Sequence, residues 1–175
     1  MEFCTIASGS SGNSLYIGTK HTRILIDAGV SGKRLTEGLA QLSLQGGDID
    51  ALFVTHEHFD HIKGAGVFSR KFDVPIYATM ETWDAMEENL GKIAAWNKRY
   101  VYEGETCVIN DLCVRPFSIP HDAANPVGYS VSAQQKKITV ATDIGHVTDI
   151  IRENITDSDV LLLEANHDEE LLRKG

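Results

Sequence analysis

Residues 56–61 read His-Glu-His-Phe-Asp-His, which places three imidazoles and a carboxylate within six positions. Imidazole nitrogen and carboxylate oxygen are the donors that zinc and similar borderline divalent ions take. Alternate residues of an extended segment share a face, so His56 and His58 point one way and Glu57 the other. Asp60 and His61 follow where the chain can turn into a helix, within reach of a second ion. Four ligands from one short stretch predict a site for two metals; the competing reading is a solvated histidine-rich loop. Two distant segments offer more donors. Phe117-Ser118-Ile119-Pro120-His121-Asp122 ends an apolar run with His121, and Val140-Ala141-Thr142-Asp143-Ile144-Gly145 ends another with Asp143. Taken alone, His121 is a surface turn residue and Asp143 a turn or capping residue. The demand of the histidine cluster for further ligands makes both of them candidates.

The elements that must position these residues can be read from periodicity. Phe3 to Ala7, Ser14 to Ile17 and Arg23 to Asp27 are short apolar runs separated by turn residues, and they predict three strands. Ser31 can cap a helix whose Leu35, Leu39 and Leu42 recur at i, i+4 and i+7. Ile49 to Thr55 is the strand that delivers the histidines. Ile62, Ala65, Phe68 and Phe72 suit a second amphipathic helix, with Gly64 and Gly66 permitting close packing. A strand at Val74 to Ala78 and a helix marked by Trp83, Met86 and Leu90 follow. The second half predicts strands at Thr106 to Ile109, Leu112 to Ile119, Gly128 to Ala133 and Lys137 to Ala141, a short helix from Val147 to Asn154, and a last strand from Val160 to Ala165. Strand clusters interleaved with helices imply two sheets covered by helices.

The composition allows this. A chain of 175 residues can bury a core as one domain, and 42% hydrophobic with 23% charged residues is ordinary for a globular protein. No run approaches a membrane span, and the N-terminus has no basic region leading into an apolar stretch, so a cytoplasmic location without membrane contact is expected. Cys4, Cys107 and Cys113 are odd in number and without a CxxC pair, which predicts reduced core thiols rather than disulfides. A net charge of −9 argues against gripping nucleic acid by charge alone, although two divalent ions would add about four positive charges at the site.

The order His-x-His-x-Asp-His, then a strand-end His, then a strand-end Asp, resembles the metallo-β-lactamase superfamily of hydrolases. The resemblance implies an α/β (α+β) chain folded as a four-layer αββα sandwich, with residues 1–175 as a single domain. It implies that His56, His58 and His121 hold one metal, that Asp60 and His61 hold another, and that Asp143 bridges them. Asp27, in Ile24-Leu25-Ile26-Asp27-Ala28-Gly29, matches the family's early strand-end aspartate, which steadies the site from behind the ligands. Ser8-Gly9-Ser10-Ser11-Gly12-Asn13-Ser14, Leu25-Ile26-Asp27-Ala28-Gly29, Thr55-His56-Glu57-His58, Pro120-His121-Asp122 and Glu164-Ala165-Asn166-His167-Asp168 together resemble more narrowly the YycJ (WalJ) branch, bacterial cytoplasmic proteins regarded as DNA exonucleases or phosphodiesterases. In that family the second metal takes a further histidine well downstream of the bridging aspartate. This chain offers His146 and His167 there, both poor substitutes, and its last residues look like an element cut short. A C-terminally incomplete domain with a weakened second site is therefore expected.

The function implied is a metal-dependent hydrolase, a phosphodiesterase or DNA exonuclease using a metal-bound hydroxide. Its cofactors would be two divalent ions in the intact protein, zinc by default with manganese or iron as options, and Asp60 would be catalytic as both ligand and orienter of the nucleophile. Ser10, Ser11 and Asn13 are candidate substrate contacts if their loop folds over the site; otherwise the loop is an ordinary hairpin connection. Phe59 either stacks on a base at the mouth of the site or packs into the interior. His21 reads as a surface residue. The competing functions are a glyoxalase II-like thioesterase, which uses nearly the same metal motif, and a non-catalytic metal-binding domain.

Overall fold

The computed structural model describes residues 1–164. Strands β1 (Glu2–Ala7), β2 (Ser14–Gly18) and β3 (Arg23–Ile26) pair antiparallel in sequence order. Strands β4 (Ala51–Phe53), β5 (Ile76–Ala78) and β6 (Lys98–Tyr100) then add in parallel, completing a six-stranded sheet in the order β1-β2-β3-β4-β5-β6. Each parallel addition needs a crossover, and helices supply them. They are α1 (Gly32–Gln41), the single turn α2 (Phe59–Ile62) with α3 (Ala65–Phe72), and α4 (Met80–Leu90). The Ser31 hydroxyl caps α1 by accepting from Arg34 N, and Thr79 caps α4 in the same way through Thr82 N.

The second sheet is a meander of β7 (Cys107–Ile109), β8 (Leu112–Ser118), β9 (Val127–Ala133) and β10 (Lys136–Ala141). After α5 (Asp149–Ile155), β11 (Val160–Leu163) joins parallel to β10, giving the order β11-β10-β9-β8-β7.

Alternation along the strands divides the core into layers. Leu15 and Ile17 of β2, Ile24 and Ile26 of β3, and Ala51 and Phe53 of β4 meet Val114, Val127, Tyr129, Val131 and Val140 between the sheets. The intervening Tyr16, Leu25 and Leu52 face the other way, against Leu35, Leu39, Phe68, Trp83 and Met86 of the helices. A third, smaller cluster packs Phe117, Ile119 and Ala141 under Ile151 of α5. The result is helix, sheet, sheet, helix. Strands buried on both faces read as continuous apolar runs rather than clean alternation, which is how they stand in the sequence.

Two differences from the sequence reading have physical causes. The helix expected from Ile62 to Phe72 is broken at Lys63–Gly64, because Gly64 N donates to Ala28 O at 2.7 Å and a Cβ there would lie 2.2 Å from Val30 O. Strand β6 was not foreseen: three residues, mostly exposed and paired on one side only, carry too little pattern. Among the described residues no helix is long and apolar enough to cross a membrane. Cys4, Cys107 and Cys113 are free thiols, half-buried rather than in the deep core. The segment Ala165 to Asp168, with His167, lies outside the described residues.

Candidate metal centre

Strands β3 to β6 run parallel, so their C-terminal ends share one edge of the first sheet. Asp27 follows β3 and the His56–His61 segment follows β4 at that edge. In the second sheet β8 and β10 are each antiparallel to β9 and so run the same way, delivering His121 and Asp143 from their own C-terminal ends. Val127 N donates to Thr55 O at 3.0 Å, and the buried Tyr129 hydroxyl donates to Val54 O at 2.7 Å, which ties the two sheets together beneath the histidines. Burial, followed by the negative Asp27, pushes the Tyr129 phenol well above its ordinary pKa, so it stays a neutral donor.

Three segments far apart in sequence are stitched together by backbone bonds at this edge. Asn13 N donates to Asp60 O, Ala28 N to His61 O and Gly29 N to Asn13 O, each at 2.8 Å. The approach is so close that a Cβ on Gly29 would lie 1.5 Å from Asp60 O. Asp27 stands at the centre of the side-chain network, with a backbone φ of 60°. One of its oxygens accepts from Thr55 N at 2.8 Å; the other accepts from the Thr55 hydroxyl at 2.9 Å and from His61 Nδ1 at 2.8 Å. Because the Thr55 proton goes to Asp27, its oxygen is an acceptor toward His56 Nδ1 at 3.0 Å. The network therefore assigns a proton to Nδ1 of both His56 and His61 and turns their Nε2 atoms toward the cluster. From sequence Thr55 had no role of its own; it stood only as the first residue of the Thr55-His56-Glu57-His58 segment.

Two compact groups of donors result: His56 with His58 and His121, and His56 with His61 and Asp143, the donor atoms of each lying within 4.8 Å of one another. His58 Nδ1 and His121 Nε2 are 3.2 Å apart, close to the ~3.4 Å expected of two nitrogens each ~2.05 Å from one tetrahedral zinc. The buried His56 Nε2 has no hydrogen-bond partner among the described residues. A buried imidazole nitrogen aimed at two other imidazoles and left without a partner fits a metal ion. His56 thus belongs to both groups. Asp143, at φ 54°, sits with His61 and His56, its carboxylate 3.0 Å from His61 Nε2, rather than with His58 and His121. Asp60 is outside both groups, with an oxygen 3.7 Å from His61 Nε2 and its side chain 37% exposed.

Electrostatics separate the two buried histidines. Burial, and after it the neighbouring His61, His121 and His58, push the His56 pKa down to about 2, so His56 is a neutral donor. Burial alone would depress His61 too, but Asp27 and then Asp143 outweigh it and hold His61 up at about 10. His121 is lowered by burial, and Asp143 by its contact with His61.

Around this cluster, Glu57 turns away from His56 and His58, as alternation implies, and its Oε1 accepts from Ala124 N at 2.8 Å, holding the turn that carries His121. Gly145 N donates to Pro120 O at 2.8 Å and links the Asp143 loop to the same turn. Ser10 and Ser11 are exposed at the loop tip. Asn13, expected to meet substrate, is instead buried, its Oδ1 accepting from Gly9 N and its Nδ2 lying 3.1 Å from His61 Nε2. It holds the loop to the site. His21 and His146 are exposed and stand apart from both groups.

The family model described as the beta-lactamase superfamily domain matches residues 22–174. The chain is 41% identical, over its whole length, to exodeoxyribonuclease YycJ of Bacillus anthracis, and 41% identical over 99% of its length to exodeoxyribonuclease WalJ of Streptococcus pneumoniae. It spans 66% and 65% of the lengths of those relatives. Among solved structures, the subclass B3 metallo-beta-lactamase MEM-A1 from a soil metagenome library superposes with a TM-score of 0.70 over 93% of this chain and 76% of that one, at 19% identity. Strand ends of two facing sheets converging on a histidine cluster, a family model matching most of the chain, and 41% identity to these relatives over 99–100% of this chain make this protein a member of the β-lactamase superfamily.

Proposed function

We infer that the protein is a metal-dependent hydrolase of DNA, acting as an exonuclease in the cytoplasm where its substrate lies. The carrying observation is the 41% identity to two exodeoxyribonucleases, in matches that extend over 99–100% of this chain and therefore take in every segment that builds the site. His56, His58 and His121 would hold one divalent ion. His61 and Asp143 would hold a second beside it, with Asp60 at its outer side. Zinc is the first expectation for such donors, with manganese or iron as alternatives. An ion held there supplies Lewis acidity, polarising the phosphodiester and lowering the pKa of water.

The chain's own residues do the rest. Asp27 and Thr55 fix the tautomers of His56 and His61, so their Nε2 atoms reach the cluster without rearrangement. Asp60, partly exposed beside His61, is placed to orient an attacking water and accept its proton. Asn13 and Gly29 hold the serine loop against the Asp60 backbone, where the exposed Ser10 and Ser11 hydroxyls can meet a phosphate.

The test is a direct competition. The full-length protein, loaded with zinc or with manganese, is offered end-labelled DNA beside a glutathione thioester. Stepwise, chelator-sensitive shortening of the DNA is expected. Thioester turnover with intact DNA under both metals would replace this reading with a glyoxalase II-like one. Silence on both substrates with metal bound would leave a non-catalytic binding domain.

A further inference from the structure

Helix α2 divides its side chains sharply. His61 and Ile62 face inward and are buried, while Phe59, between His58 and Asp60, is 62% exposed. The other exposed aromatic side chains, Trp96, Tyr100 and Tyr102, each carry a polar group that water or a neighbour can satisfy, and the Trp96 indole donates to Asp73. Among the described residues Phe59 is the one exposed ring with no polar atom. Packing, one of the two roles open to it from sequence, is thereby removed. Phe59 and Lys63 are i and i+4 on one helical face, and the Lys63 ammonium stands 5.7 Å from the ring centroid. The serine loop is tied to the same turn through Asn13 N and Asp60 O. Phe59 thus stands between His58 and Asp60 in the chain, with a cation near its ring and the serine loop tied to the same turn.

We propose that Phe59 stacks on a base at the end of a single DNA strand while Lys63 pairs with a neighbouring phosphate, together setting the terminal nucleotide against the metal cluster. This rests on the nuclease reading above. Every base has a π-face, so a ring without hydrogen-bonding groups suits an enzyme that must accept each base in turn. In a chain of net charge −9, a cation at the rim also gives the phosphodiester a local attraction against the overall negative charge.

The test compares intact DNA with the same oligonucleotide carrying an abasic terminal residue, read by fluorescence anisotropy for binding and by end-label release for cleavage. The native protein should prefer intact DNA about five- to hundredfold in affinity and in KM. Phe59→Ala should lose that discrimination and Phe59→Trp should keep it. Lys63→Gln should reduce the slope of log affinity against log salt by about 0.7, one phosphate contact on a single strand. Equal discrimination in Phe59→Ala and native protein, or none in the native protein, overturns the stacking role. An unchanged salt slope overturns the role of Lys63. If DNA is bound with discrimination but not cleaved, the nuclease reading falls while the contact stands; if it is cleaved without discrimination, the reverse holds.

Discussion

One side of the metal centre is built from buried groups and the other from turns. On the first side Asp27 and His61 are each 1% exposed, and both Asp27 oxygens, the Thr55 amide and hydroxyl and His61 Nδ1 all have partners within the network. On the second side His58, His121 and Asp143 are half-buried, and the turn carrying His121 is tied down by Ala124 N to Glu57 and by Gly145 N to Pro120 O. The first side hangs on the central strands β3 and β4, whose neighbours leave little freedom. The second hangs on loops leaving β8 and β10. The difference teaches a division of labour. The buried side fixes tautomer and direction in advance, and the looped side supplies the more accessible candidate ligands.

Asp27→Asn should break the buried side with the largest effect. It removes the charge that two protons and a backbone amide share, and breaking a buried, hydrogen-bonded pair from one end costs about 3–5 kcal/mol. Denaturant unfolding of metal-free protein measures this; an unchanged midpoint would mean the buried network is not what holds this edge. The same experiment has a pH signature. The folded His61 value of about 10 lies above the ordinary 6.5, so its contribution is complete below pH 6.5 and disappears as pH rises through about 10. Metal-free native protein should therefore lose stability across that window, by up to about 1.4 kcal/mol per pH unit, and Asp27→Asn should flatten the decline.

A matched pair of glycines sharpens the contrast. On the buried side a Cβ at Gly29 meets Asp60 O at 1.5 Å and Asp60 C at 2.2 Å, both backbone atoms that cannot step aside. On the looped side a Cβ at Gly145 meets Pro120 O at 3.0 Å and otherwise nothing closer than 3.9 Å. Gly29→Ala should destabilise by about 3 kcal/mol, since overpacking here must move the main chain. Gly145→Ala should stay within about 1 kcal/mol. Thermal unfolding of the two variants side by side decides it, and similar losses would mean that the two sides are equally rigid.

The candidate ligands could be named from sequence because ligand chemistry is carried by residue type. His56, His58, His61, His121 and Asp143 announce themselves at strand ends, and their convergence needed only a two-sheet frame. What holds them was less legible. Thr55 acts through two bonds to Asp27, 28 positions away, and Glu57 through one bond to Ala124, 67 positions away, and nothing in a local pattern predicts such partners. Asn13 shows the same limit from the other side. A polar residue in a glycine–serine loop suggests a substrate contact, but the close approach of Gly29 draws the loop's last residues inward. Gly64 likewise breaks a helix whose apolar periodicity runs on unbroken, because the reason for the break is the main chain of Ala28 and Val30.

Glu57 provides the finest probe of the looped side. Its Oε1 takes the Ala124 amide, while its Oε2 is buried with no hydrogen-bond partner among the described residues. One oxygen thus holds the His121 turn and the other contributes nothing to it. Glu57→Ala should release the turn without touching the Asp27 network, lowering affinity for the ion held by His56, His58 and His121 about tenfold, as is usual for residues that orient ligands. Stability of the metal-free protein should change little, because the side chain is only half-buried and makes one bond. Glu57→Gln, which keeps the Oε1 acceptor, should restore most of the affinity. Competition against a chelator of known zinc affinity separates the three proteins. If Ala and Gln weaken binding equally, the carboxylate acts through its charge rather than through the Ala124 bond, and the looped side is held by electrostatics instead of geometry.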